Sequence, residues 1–132
     1  MSPNLEMVLR ILLAAALGAG IGLQREKAKR PAGLRTNALI CVGAALFTLS
    51  GIYGFSGIDP ARIAAGVVTG IGFLGAGAIM RREGEIVTGL TTAASIWTVA
   101  GIGVAAGAGL VPLSIVAAAI TFVILVLPHQ IR

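Results

Sequence analysis

The chain has 132 residues, of which 57% are hydrophobic and only 11% are charged, with a mean hydropathy of +0.98. Soluble domains carry about 25% charged residues, so too few charges remain here to cover a water-facing surface. The net charge of +5 would suggest nucleic acid in a soluble protein, but these cations sit in short segments between long apolar runs, which points to membrane orientation instead.

The first apolar run, about Leu5 to Leu23, is a predicted helix. Its 19 residues span roughly 28 Å at 1.5 Å per residue, close to the thickness of the hydrocarbon core. It is longer than the apolar region of a secretory signal, and its basic flank follows it, which suits a retained helix. Glu6 and Arg10 are four residues apart, on one helix face where they support each other. Arg10 either snorkels to the interface or is a buried functional group. Gln24 to Thr36 reads QREKAKRPAGLRT, with five Lys or Arg and one Glu. Pro31 and Gly33 break a continuing helix there.

The second helix is predicted from about Asn37 to Tyr53, with Tyr53 and Phe55 at the depth of an aromatic belt. Its Cys41 is the single cysteine, read either as a small buried hydrophobe or as a reactive thiol. Asp59 before Pro60 is a helix-start signal, a side-chain acceptor followed by a proline that needs no donor. The third helix then runs from about Ala61 to Met80. Arg81, Arg82, Glu83 and Glu85 follow in a loop. The fourth helix is predicted from about Gly89 to Ala106. A tight GAGLVP connection leads to the fifth, from about Leu113 to Leu127.

These elements define an all-α, polytopic transmembrane bundle of about five helices in a single domain. With the first helix entering from outside, eight Lys and Arg fall on the inner side and two, Arg10 and Arg62, on the outer side. The positive-inside rule therefore expects the amino end outside and the carboxyl end inside.

Most of the 19 glycines lie within the spans. In lipid they let helix backbones approach closely, and small residues four apart mark such contacts. Gly18 with Gly22, Gly66 with Gly70, and Gly103 with Gly107 have that spacing. The third helix adds Gly72, Gly75 and Gly77, so it is expected at the centre, packed on several neighbours. The alternative is that its glycines leave a pore or a hinge. Trp97 falls mid-helix and needs a hydrogen-bond partner in a dry interior. Thr91, Thr92, Ser95 and Thr98 either tie helices together or line a polar cavity.

No catalytic constellation is visible, so enzyme activity is not expected. His129 is the only histidine and stands far from any nucleophile in sequence. No cofactor motif and no metal-ligand spacing appear. Glu83 and Glu85 could hold Mg²⁺ with water, but loop carboxylates are ordinarily solvated. The spans contain no clear Asp or Glu, which weighs against a cation-coupled transporter. The strongest polar feature is the segment with Arg25, Glu26 and Arg35. It serves topology and anionic lipid alone, or it forms a charge network in which Glu26 neutralises one arginine and the others bind a partner.

The stretches GIGLQRE, RPAGLRTNAL, DPARIAAGVVTGIGFLGAGAIM and GLTTAASIWTVAGIGVAAGAG occur in this order. Together they resemble the membrane domain of the MgtC/SapB family over about Gly18 to Gly109. The resemblance implies a multi-pass protein of the bacterial inner membrane. It implies links to growth in low magnesium, acid tolerance and survival inside phagocytes, a role in virulence and stress adaptation. The namesake is similar to a regulator of the membrane ATP synthase rather than to a pump. Carried over by position, the family's motifs fall on Arg25, Glu26, Gly33, Leu34, Arg35 and Thr36. They fall further on Asp59, Arg62, Gly70, Gly72, Phe73, Gly75 and Gly77, and on Gly89, Thr91, Thr92, Ala93 and Trp97. Gln24 and Gly66 depart from the pattern, where many relatives have Glu and Gln. The expectation is a membrane core without the namesake's soluble carboxyl-terminal domain. Two functions follow: a regulatory protein that binds a membrane partner, or a small oligomeric channel or transporter for Mg²⁺ or another cation. The bilayer is a partner under both, a homo-oligomer is compatible with both, and nucleic acid with neither.

Overall fold

Runs this apolar must satisfy their own backbone groups in lipid, and the α-helix does so within each segment. The computed structural model describes residues 2–79 and 88–127. Over these, five helices follow in order: α1 (Pro3–Lys27), α2 (Leu34–Tyr53), α3 (Pro60–Ala78), α4 (Leu90–Gly107) and α5 (Val111–Val126). The first four are long and apolar enough to cross a membrane. α5 is equally apolar, but its 16 residues reach only about 24 Å.

The helix ends follow local chemistry. Ser2 Oγ accepts from the Leu5 amide at 3.2 Å to start α1. Asp59 Oδ1 accepts from the Ala61 amide at 3.0 Å, with Pro60 beside it, to start α3 as expected. α4 ends on a left-handed Gly109, φ +87°. The Leu110 amide returns to the Ala105 carbonyl and the Gly109 amide to Ala106, which closes the last turn.

The basic segment is not a 13-residue loop. Gln24 to Lys27 continue α1, Leu34 to Thr36 begin α2, and only residues 28–33 lie between them. Polar residues at the membrane boundary lower hydropathy without ending a helix. What ends α1 is a closure like that of α4, with the Arg30 amide on the Arg25 carbonyl and the Lys29 amide on Glu26.

α4 is the centre of the bundle, touching each of the other four helices, while α3 meets only α2 and α4 among the described residues. This corrects the expectation that α3 is central. Glycine content measures how closely a helix can be approached, not whether a neighbour is there. Positions 66, 70, 72 and 77 have open space where a Cβ would project, and only Gly75 reaches a neighbour, Ala93, at 3.6 Å. The close contacts run elsewhere. A Cβ on Gly18 would lie 2.7 Å from Cys41 Cβ, and one on Gly22 would lie 2.6 Å from the Gly33 carbonyl oxygen. On the other flank of α2, a Cβ on Gly103 would lie 2.8 Å from Ala44 Cβ. One on Gly107 would lie 2.7 Å from the Ala45 carbonyl oxygen. Two glycine pairs thus clamp α2 between α1 and α4. Cys41 is fully buried where the three helices meet, with no disulfide, as a small hydrophobe would be.

The core formed around α4 is apolar. Val99, Ile102 and Ala106 pack with Ala14, Ile21 and Ala45, and Ile96 and Ala100 pack with Ala44 and Ile71. The hydroxyls turn onto their own helices: Thr48 donates to the Ala44 carbonyl, Ser95 to Thr92, Thr98 to Ala94 and Thr121 to Ala117. Such back-bonding satisfies a hydroxyl without water. Trp97 is not among these groups. It is 58% exposed on the outer surface of α4, because the middle of a helix is not the middle of a bundle.

Candidate functional site

Polar side chains concentrate at the two ends of the bundle. At the end formed by the start of α1, Arg10 pairs with Glu6 at 2.7 Å, as the spacing predicts. Its Nη1 also donates to the Gly107 carbonyl at 3.0 Å, and the guanidinium lies 5.9 Å from the centre of the Tyr53 ring. A cation at the carboxyl end of α4 favourably meets the helix dipole. Arg10 is therefore a buried-side cap that ties α1 to α4.

The other end is more elaborate. The closure after Lys27 carries Arg25 inward, where it is only 4% exposed. Its Nη2 donates to the Pro31 carbonyl at 3.1 Å and to Thr92 Oγ1 in the first turn of α4. One side chain thereby joins the end of α1, the turn and the start of α4. Asn37, fully buried, braces the same turn from α2, its Nδ2 donating to the carbonyls of Ala32 at 2.7 Å and Gly33 at 3.0 Å. Glu26 Oε1 accepts from the Leu34 amide at 3.4 Å, so its charge sits at the amino end of α2. Gln24 Nε2 donates to the Leu125 carbonyl at 3.3 Å, which brings α5 to the same end.

Among the described residues Arg25 has no carboxylate partner, and Glu6 with Arg10 is the one ion pair. This departs from the expected network: among the described residues Glu26 does not neutralise an arginine but accepts from the first amide of α2. Arg25 Nε, Asn37 Oδ1 and Gln24 Oε1 are buried without a hydrogen-bond partner among the described residues. A buried cation held only by neutral acceptors is costly. The cost is reduced by the carbonyls at the end of α1, which carry partial negative charge. Around this core Lys27, Lys29, Arg30 and Arg35 are all exposed.

Of the residues singled out in the sequence, this end assembles Arg25, Glu26 and Thr92, with Arg35 and Thr36 exposed on the first turn of α2 and Thr91 exposed on that of α4. Asp59 and Arg62 stand at the opposite end, at the start of α3. Gly70, Gly72 and Gly77 open onto the surface, and Gly75 packs on α4. Gly89 adopts φ +88° where α4 begins, and a Cβ there would collide with the Ala78 carbonyl. Arg81, Arg82, Glu83, Glu85, His129 and Arg132 lie outside the described residues, so the carboxylate pair considered for Mg²⁺ does too. Among the described residues no three metal-ligating side chains gather. Asn37 escaped notice as a site residue. Its signal was an amide at the head of an apolar run, where a polar group in a span asks for an explanation.

An all-helical chain with four membrane-length apolar helices and polar groups gathered at their ends is a multi-pass membrane protein. The chain belongs to the MgtC family, which matches over residues 11–132. It is 46% identical over 134 residues to YhiD of Escherichia coli K12, which its name makes a candidate magnesium transporter, covering 96% of this chain and 62% of YhiD. It is 57% identical over 102 residues to MgtC of Salmonella typhimurium 14028s, covering 77% of this chain and 43% of MgtC. An uncharacterized protein of Haemophilus influenzae is 46% identical over 111 residues. The chain thus spans less than two thirds of the length of these relatives. No solved structure matches it.

Proposed function

We propose that the chain is a regulatory protein of the bacterial inner membrane, tied to adaptation to low magnesium, acid stress and intracellular survival, and that it works by binding a membrane partner. The observation that carries this reading is the separation of polar from apolar. The described interior is apolar and close-packed, its hydroxyls are bonded to their own helices, and the cations gather at one end around Arg25 and Thr92. Ion pathways place polar or ionisable groups at mid-membrane. A partner-binding protein needs only a shaped, charged end. With eight of ten cations on the inner side of the expected topology, that end faces the cytoplasm. Arg25 fixes the shape of the turn, and Lys27, Lys29, Arg30 and Arg35 present the charge. The partner is a membrane complex with an acidic face, the ATP synthase being the one the family resemblance suggests. The chain acts without chemistry of its own.

Complementation of a deletion strain in low-magnesium medium tests this, combined with cross-linking in native membranes. Arg30→Gln with Arg35→Gln is expected to lose both growth and the cross-linked partner while the chain still inserts. Unimpaired growth of that variant would count against the proposal.

The name of YhiD favours a second reading, in which several copies form a channel or transporter for Mg²⁺ or another cation. A pathway would then run between chains rather than through one. Flux measurements separate the two readings.

A further inference from the structure

A groove of about 600 Å³ runs between α2 and α3 on the outside of the bundle. Gly43 and Phe47 form one wall, Gly66 and Gly70 the other, and Ile71 lies at its floor. Its depth comes from missing side chains: a Cβ at position 43, 66 or 70 would meet nothing within 4 Å. The volume falls within the range of about 300–1,000 Å³ typical of small-molecule sites. The lining is apolar with one exception. Arg62 stands at one end of the groove, exposed, and makes no ion pair among the described residues. Asp59, the acidic group nearest to it in sequence, is committed to the Ala61 amide.

The dimensions narrow the occupant. From Arg62 to Leu74 the α3 wall rises about 18 Å at 1.5 Å per residue. One leaflet of a hydrocarbon core of about 30 Å is about 15 Å deep. The groove therefore begins at a cation at the membrane boundary and continues one leaflet inward. A helix of another protein would run the full thickness of the membrane, past the end of the groove. A phospholipid matches both parts, since guanidinium and phosphate form strong charge-assisted hydrogen bonds.

We propose that the α2/α3 groove is a phospholipid site, with an acyl chain along Gly43, Gly66 and Gly70 and the phosphate on Arg62. The site is separate from the Arg25 end and does not depend on the regulatory reading. Gly66 and Gly70 keep the α3 wall clear for the chain, and Arg62 selects molecules that carry a phosphate.

Native mass spectrometry of the full chain in mild detergent tests the site. The probes are phosphatidylglycerol, phosphatidylethanolamine and, as a lipid without phosphate, diacylglycerol. The wild-type chain is expected to retain one phospholipid, with both phosphate-bearing lipids bound more tightly than diacylglycerol. Gly66→Leu with Gly70→Leu puts two side chains into the groove from positions where a Cβ meets nothing within 4 Å and should lower occupancy by tenfold or more. Arg62→Gln should weaken phospholipid binding about fivefold and leave diacylglycerol unchanged. Arg62 is exposed, so this variant stays folded and carries the test by itself if the glycine variant misfolds. Equal lipid retention in all three proteins overturns the proposal. So does a wild-type dimer that carries no lipid and dissociates on Gly66→Leu with Gly70→Leu, because the groove would then hold a second copy.

Discussion

Gly103→Ala is the sharpest test of the packing. The new methyl would sit 2.8 Å from Ala44 Cβ and 3.1 Å from the Cys41 carbonyl carbon. Neither neighbour can swing aside, since one is a methyl fixed to its backbone and the other is backbone. Ordinary contact begins at 3.4 Å and the Cys41 carbonyl oxygen lies closer still, so α2 and α4 must separate by at least about 0.6 Å at the crossing. Overpacking of this kind costs about 1–3 kcal/mol. Alanine recovers up to about 1 kcal/mol of helix propensity, so the net loss is smaller. Gly70→Ala is the matched control: it makes the same change in a span, where a Cβ meets nothing. Propensity cancels between the two, and the Gly103 variant should be about 1–3 kcal/mol less stable than the Gly70 variant. Reversible unfolding in mixed micelles, followed by circular dichroism, measures the difference. Equal stability of the two would refute the clamp on α2 and with it the placement of α4 at the centre.

Other substitutions probe the helix ends. Thr92→Val removes the acceptor for the buried Arg25 and should cost about 1–3 kcal/mol, whereas Thr92→Ser should cost clearly less; the same unfolding assay reads both. Lys29 holds φ +57° without being glycine, so Lys29→Gly should stabilise the chain by about 1 kcal/mol, seen as a rise in the unfolding midpoint. Asp59→Ala removes the α3 cap and should cost about 1 kcal/mol. Hydrogen exchange at the start of α3 would register it as faster exchange of the Ala61 amide.

The helices were legible because lipid imposes a simple rule, and their number and order follow from the length of the apolar runs. Their ends were legible where a specific side chain marks them, as at Asp59 and Pro60. The end of α1 was not, because its closure uses Lys29 in a conformation that usually calls for glycine. The place of α3 was misjudged because spacing reveals which faces are small, not which faces are covered. Trp97 was misjudged for a related reason, depth along a helix being independent of direction around it. At the site, Glu6 with Arg10 follows from i, i+4 geometry, but the contact of Arg10 with Gly107 spans 97 residues. The contact of Arg25 with Thr92 spans 67. No local pattern encodes such pairs; they exist because α1 and α4 pack together.

The regulatory reading stands or falls on whether a dry bundle moves ions. Mg²⁺ flux into liposomes reconstituted with the purified chain, read by an internal indicator across a magnesium gradient, decides this. The account predicts traces indistinguishable from protein-free liposomes. Saturable Mg²⁺ entry that scales with the amount of protein would contradict it.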